Sequence, residues 1–415
     1  MKRAFVFWLM VFTVASAFAQ RPLAPMVIGT LGPGGLRGAA IQGAVAEGPL
    51  KPETGPKWFT AGSQAYTPDT GLEFAASVYD PSTKVMMTFG GLDWGAEATS
   101  TNALLLYAQA NSPSANFTTL IPNGAAGSPP ARAQHSAVYD DANNRMIVFG
   151  GASCQPDWFT CTTFTLMNDV WVLSNANGQN GTPVWTQLSP IGTPPAARSV
   201  ATAVYDSANN QMIVFGGEAS KAVFSDVWVL SNANGIGGTP TWTQLSPTGT
   251  SPLGEVAGVY DQTNNILIVY GGPNAQLTKV TNAVWTLSHA NGLGGTPQWT
   301  NIVPDGKPGS PPLRFAETAV YDQTNNRMIV FGGATPSTKF GGYVGLDDVW
   351  VLANANGSGG TPAWTELKPK GTPPAKRAGH TAVYDPTTNQ MMIFAGVDFE
   401  SVYYLVWVLD DANGL

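Results

Sequence analysis

From about residue 57 onward the chain is built of short apolar runs separated by polar turns. The clearest run, Arg327-Met328-Ile329-Val330-Phe331, shows no alternation between apolar and polar positions. A strand of that kind is covered on both faces, as happens when sheets stack on neighbouring sheets. Phe315 to Tyr321 predicts a shorter strand before it, and Asp322-Gln323-Thr324-Asn325-Asn326 predicts the intervening turn. Asp and Asn suit that turn because they bond back to nearby backbone and tolerate left-handed conformations. Gly332-Gly333 ends the apolar strand where the backbone needs positive φ or close approach. A variable loop leads to a third strand, Asp348-Val349-Trp350-Val351-Leu352. After Asn354-Ala355-Asn356-Gly357 and a Gly-Gly-Thr-Pro link, Trp364-Thr365-Glu366-Leu367 predicts a fourth. One unit is thus a four-stranded antiparallel sheet.

The unit repeats. Tyr-Asp pairs stand at Tyr79-Asp80, Tyr139-Asp140, Tyr205-Asp206, Tyr260-Asp261, Tyr321-Asp322 and Tyr384-Asp385, at spacings of 60, 66, 55, 61 and 63 residues. Double glycines follow at 90/91, 150/151, 216/217, 271/272 and 332/333, and the sixth copy departs as Ala395-Gly396. The third strand carries Trp171, Trp228, Trp285, Trp350 and Trp407, with Leu105 in the first unit. These motifs resemble the kelch repeat over roughly residues 56 to 409. The Gly-His and Trp-Asp pairs that a WD-repeat propeller carries in each unit do not recur here. The resemblance implies an all-β, six-bladed kelch-type propeller with four antiparallel strands per blade. The last unit stops before a fourth strand, whereas Trp58-Phe59-Thr60 lies 21 residues ahead of Tyr79, close to the 20 separating Trp364 from Tyr384. The N-terminal strand is therefore expected to complete the last blade and close the ring, removing exposed edges.

The first residues read as a secretory leader: Lys2 and Arg3, then an apolar run from Ala4 to Phe18, with cleavage expected after Ala19. Residues 1–19 are expected to be a signal peptide, 20–56 a Gly/Pro/Ala-rich flexible lead-in, and 57–415 the propeller, in a secreted or periplasmic protein. Fifteen apolar residues are too few for a comfortable membrane span. A net charge of −7 with 11% charged residues leaves no basic footprint for nucleic acid. Cys154 and Cys161, an even pair in an exported chain, predict a local disulfide.

Candidate chemistry is sparse. The chain has three histidines; His135 and His380 share one repeat position, His289 lies in a link, and none shows metal-ligand spacing. Kelch propellers form the central domain of galactose oxidase, but the residues here argue against a copper oxidase, and no metal or cofactor is expected. Seven residues before the Tyr of each Tyr-Asp stand Arg132, Arg198, Arg314 and Arg377, with Leu72 and Leu253 in the other two units. In kelch propellers that position enters the innermost strand near the mouth of the central channel. The arginines are expected either to present forks to a carboxylate-bearing ligand or to pair with acids and carbonyls inside their own blades. Glu73, Glu255 and Glu317 lie near the same level. Loop aromatics Trp94, Trp158, Phe159, Phe340 and Tyr343 are expected either to form a stacking rim or to fold down onto the blades.

With no catalytic motif standing out, the expected function is a protein- or carbohydrate-binding scaffold with a protein or glycan partner. The alternative, also implied by resemblance, is a carbohydrate-active propeller such as a sialic-acid mutarotase-like enzyme.

Overall fold

The computed structural model describes residues 55–62, 72–94, 98–154, 164–219, 222–273, 279–337, 342–398, 403 and 405–415. The leader and nearly all of the lead-in lie outside them. Among the described residues there is no α-helix, and no helix long and apolar enough to cross a membrane.

Among the described residues, six four-stranded antiparallel sheets form the body. Blade five shows the plan: Thr318–Asp322 pairs with Arg327–Phe331, which pairs with Val349–Ala353, which pairs with Ala363–Leu367. The apolar second strand is covered on both faces, and Met328, Ile329, Val330 and Phe331 are fully buried. The first strands of the blades, which begin at Ala76, Ser136, Thr202, Ala257, Thr318 and Thr381, stand side by side in cyclic order. In blade six the partner of Val406–Asp410 is Lys57–Ala61, with Trp58 opposite Leu409.

Aromatic packing fixes the position of that strand. In blades two to five the fourth-strand tryptophan meets the second-strand ring of the blade before it: Trp185 on Phe89 at 4.8 Å, Trp242 on Phe149 at 5.5 Å, Trp299 on Phe215 at 4.8 Å and Trp364 on Tyr270 at 5.2 Å. Trp58 meets Phe331 at 5.4 Å and so occupies the corresponding place in blade six. Such pairs add about 0.5–1.5 kcal/mol each beyond the area they bury.

Polar groups join the blades at the far end of the inner strands. The Asp of each Tyr-Asp pair bonds back to its own turn, as in Asn325 Nδ2 to Asp322 Oδ2 at 2.7 Å. The same carboxylate accepts from the Ala-Asn link of the next blade: Asn177 to Asp80, Asn234 to Asp140, Asn291 to Asp206, Asn356 to Asp261, Asn413 to Asp322, and Asn111 to Asp385. These six contacts are 2.6–3.0 Å long and buried, and together they run around the whole ring. The link needs a left-handed residue two places before that Asn, and Gln109, Asn175, Asn232, His289, Asn354 and Asp411 supply it at φ 48–54°.

Candidate functional site

The inner strands have a second end, about 17 Å from the Asp-Asn contacts for five extended residues. The arginines enter here, and their side chains turn inward to their own blades. Arg132 forks onto Asp169 at 2.7 and 2.8 Å, Arg198 onto Asp226 at 2.6 and 2.9 Å, and Arg314 onto Asp348 at 2.8 and 2.7 Å. Each also donates to the carbonyl of the first glycine of its pair: Gly150, Gly216 or Gly332. The Asp in turn accepts the indole N–H of the third-strand tryptophan, Trp171, Trp228 or Trp350, at 2.6–2.7 Å. Burial alone would raise these carboxyls, but the hydrogen bonds from arginine and tryptophan outweigh it and hold them below the ordinary carboxylate range.

Arg377 differs. Leu405 stands where the Asp would be, and the guanidinium lies over the Tyr403 ring at 4.3 Å while donating to the carbonyls of Ala395 and Ala375. Burial lowers its pKa to about 10. All four arginines are at most 1% exposed. The expectation of an arginine-framed channel mouth is therefore not met: Arg132, Arg198, Arg314 and Arg377 are spent inside the blades, because a buried guanidinium must satisfy its donors locally.

A cavity of about 200 Å³ opens instead between the blades, lined from all six by the residues five and four places before each Tyr. The first of these positions holds Phe74, Gln134, Val200, Glu255, Ala316 and Gly379, all left-handed, with φ of 53°, 57°, 46°, 67°, 52° and 63°. A β-branched residue such as Val200 pays for that conformation. At four of the six positions an inter-blade backbone hydrogen bond accompanies it. Val200 N–H donates to the Gln134 carbonyl at 2.8 Å, Gln134 to Phe74 at 2.9 Å, Phe74 to Gly379 at 2.8 Å and Gly379 to Ala316 at 3.0 Å. The ladder runs from blade to blade and stops on either side of blade four, where Glu255 stands.

The lining is polar and poorly satisfied. Gln134 is 5% exposed, and neither its Oε1 nor its Nε2 has a partner; one oxygen each of Glu255 and Glu317 is buried and unpartnered too. Glu255 hydrogen-bonds Glu218, which follows the third double glycine, and burial followed by mutual repulsion drives the Glu255 carboxyl well up, while burial alone raises Glu218. Burial pushes Glu317 up to about 7, against the pull of Arg314. Glu73 is not in the lining. Its Oε2 accepts from Trp94 Nε1 at 3.0 Å, and burial raises it to about 8. It packs behind Gly379, where a Cβ would sit 2.9 Å from its unpartnered Oε1. His135 and His380 wedge between blades, edge-on to Phe89 and Phe331 at 5.3 and 5.2 Å. Burial, then Arg132 or Arg377, lowers both to about 3, so they are neutral. His380 Nε2 shares a 2.8 Å hydrogen bond with Thr318 Oγ1.

Of the expected site residues, then, Glu255 and Glu317 line the cavity, although the Glu317 carboxyl lies at the blade boundary, where a Cβ on Gly271 would sit 2.9 Å from its Oε1, and Glu73 lies directly behind the wall. Gln134, His135 and His380 join them in the lining unanticipated as a site, with Glu218 against Glu255 outside it, although the shared repeat position of the two histidines was visible. Trp94 and Tyr343 do not form a rim, since Trp94 turns in to Glu73 and Tyr343 packs on Phe315 at 5.1 Å. Trp158, Phe159, Phe340 and Cys161 lie outside the described residues. Cys154 is buried. Among the described residues no group of three or more His, Cys, Asp or Glu could hold a metal ion.

The KLHDC2/KLHL20/DRC7 Kelch-repeats domain family matches residues 74–308 and 262–413, and the chain belongs to this kelch-repeat family. It is 29% identical over 217 residues to Kelch domain-containing protein 3 of Homo sapiens, covering 51% of this chain and 50% of that protein. It is 31% identical over 137 residues to Dynein regulatory complex subunit 7 of Chlamydomonas reinhardtii, covering 32% and 10%. The chain thus spans about half the length of the first of these relatives and far less of the second. The solved structure of YjhT superposes with a TM-score of 0.56 at 15% identity, over 82% of this chain and 95% of that one, a likeness of fold alone.

Proposed function

We propose that this chain is an exported kelch propeller serving as a binding module for a protein or carbohydrate ligand, engaged at the central cavity. Kelch propellers as a class bind protein partners. The observation that carries the reading is Gln134, a buried amide with all of its hydrogen-bonding capacity unused at the wall of a cavity. Buried polar groups are nearly always paired, so an unpaired amide in the wall of a cavity is what a ligand's polar atoms would complete. The held left-handed backbone at all six positions supports this, because strain persists where surrounding structure enforces a particular presentation.

Peptide and glycan arrays probed with the purified protein test the reading, with each hit repeated on Gln134→Gly, which removes the amide without backbone penalty, and on Ala316→Asn, which fills the cavity. Binding should fall in both variants while the melting temperature holds. Hits retained at full strength by both would sink the cavity as the site. The hydrogen-bonded Glu218–Glu255 pair favours a second reading, proton transfer on a bound carbohydrate. Turnover assays on glycan hits, compared with Glu255→Gln, decide it.

A further inference from the structure

We infer that the break in the backbone ladder at blade four is a subsite for a secondary amide, the group of a peptide bond or of an acetamido sugar. This rests on the central cavity being the binding site. Around the rest of the cavity the left-handed residue of each blade donates its N–H to the carbonyl of the one before, from Ala316 through Gly379, Phe74 and Gln134 to Val200. Two rungs are missing among the described residues. Glu255 N–H does not bond the Val200 carbonyl, and Ala316 N–H does not bond the Glu255 carbonyl. All three residues line the cavity, and each keeps part of its surface exposed.

A one-residue slip in blade four accompanies the break. In blades two, three and six the arginine N–H donates to the carbonyl four places before the third-strand Trp or Leu of the preceding blade: Arg132 to Thr101, Arg198 to Met167 and Arg377 to Leu346, at 3.0–3.1 Å. In blade four the matching bond, to Phe224 at 2.8 Å, comes from Gly254, one place past Leu253. Ala133, Ser199, Phe315 and Ala378 each exchange two hydrogen bonds with the residue after the glycine pair or its equivalent, and Glu73 pairs with Leu92 in the same way in blade one. Blade four has Gly254 and Pro273 at these places, and proline has no N–H to give. A Cβ on Gly254 would sit 2.2 Å from Gly217 N, so the slipped backbone lies hard against blade three and only glycine fits. Irregularities of this kind re-aim backbone and side chains beside binding sites.

Each missing rung leaves one N–H and one carbonyl of neighbouring blades without each other. A carboxylate offers only acceptors and an ammonium only donors, so either would leave half of the pair unmet. A secondary amide carries an acceptor and a donor on opposite sides of one plane, and it can continue the ladder in the manner of an added strand. It reproduces the bonds that water would make there, so its polar atoms lose little on leaving solvent. Val256 and Phe315, in the same lining, give the carbons flanking the amide an apolar contact.

N-acetylglycine N-methylamide, titrated into the isotope-labelled exported chain, tests this beside its analogue methylated on both nitrogens, which keeps the carbonyls and loses the donors. Methyl N-acetylglucosaminide is titrated beside methyl glucoside, which has a hydroxyl in place of the amide. At millimolar concentration the backbone amide resonances of Glu255 and Ala316 should shift and saturate, and those of Phe74 and Gln134, whose rungs are intact, should move less. Each amide should bind about tenfold tighter than its control, a comparison that needs no variant. The tighter of the two amides names the source, peptide or glycan. Ala316→Asn, which fills the cavity, should abolish the shift at Glu255. Equal affinity for amides and controls, lost in Ala316→Asn, overturns the amide and leaves the cavity as a site. Binding that survives Ala316→Asn undiminished overturns both. Glu255 and Ala316 resonances that stay fixed at millimolar amide overturn the inference, whatever binds elsewhere in the cavity.

Discussion

Asn111 Nδ2 donates to Asp385 Oδ2 at 3.0 Å, and these residues stand 274 positions apart in blades one and six. The same carboxylate accepts from the Tyr79 hydroxyl at 3.0 Å. The junction between first and last blades is therefore made by the same chemistry as the five internal ones. Asn111→Ala should cost about 1–3 kcal/mol, since it removes a buried hydrogen bond to a charged acceptor, and Asn234→Ala at an internal junction should cost a similar amount. Chemical denaturation of both variants checks it; a closure junction indifferent to the change would mean that blades one and six are held by other contacts.

Closure by Lys57–Ala61 makes a second expectation. Deleting residues 20 to 64 removes Trp58 from Phe331 and leaves Val406–Asp410 with an unpaired edge, so aggregation or a large fall in melting temperature should follow. Deleting residues 20 to 50 should be almost silent. Equal melting temperatures for the two truncations would contradict the role given to the strand.

The Arg-Asp-Trp sets are predicted to be structural. Asp226→Ala leaves the Arg198 guanidinium buried and uncompensated and should cost about 3–5 kcal/mol, while replacing both partners with apolar residues, Arg198→Met with Asp226→Leu, should recover most of that. Calorimetry of the single and double variants distinguishes the cases. A ligand-binding arginine would instead show unchanged stability and lost affinity.

Much of this was legible from the chain. The apolar second strands, the Tyr-Asp turns and the phase of Trp58 specify sheets, repeat and closure because they are local or periodic signals. The role of the arginines was less so, yet a cue was present. Where Leu72 and Leu253 replace the arginine, Ala103 and Ala283 replace the acid two residues before the third-strand Trp or Leu position, so in these two blades both sites change, and only blade six keeps its arginine without the acid. The cavity was the least legible part. Glu218 meets Glu255 across a blade boundary, and Gln134 stands in the wall at a left-handed position joined to its neighbours by an inter-blade backbone ladder. Neither relation has a spacing within one repeat.

Two opposing pH dependences should bracket stability. His135 and His380 are lowered from 6.5 to about 3, so the native chain binds fewer protons than the unfolded one between those values, and stability drains as pH falls through that window. Glu73 is raised from 4.5 to about 8, so its contribution is full below 4.5 and is lost as pH rises toward 8. Glu73→Gln should therefore gain on the order of 2–4 kcal/mol relative to the unaltered protein at alkaline pH and little at pH near 4.5. Melting curves across the range check the sign; a Gln variant that is less stable at high pH would show that the carboxylate is needed ionised.

The proposed Cys154–Cys161 bridge should appear as one linked peptide in non-reducing mapping of protein made in an exporting host. Two freely alkylated thiols would disprove it. Its closed loop is short, so reduction should cost no more than about 2–3 kcal/mol.

The Asp-Asn contacts at one end of the inner strands are alike at every junction, whereas the six left-handed positions at the other end carry six different residues: Phe, Gln, Val, Glu, Ala and Gly. Assembly and presentation are thus written in separate places, a strand's length apart. Each of the six letters can change without disturbing how its blade recognises the next, provided the new residue tolerates positive φ. The ring is a fixed frame holding a six-character tumbler, so under the proposed binding at the cavity a change of ligand needs only the tumbler to be reset.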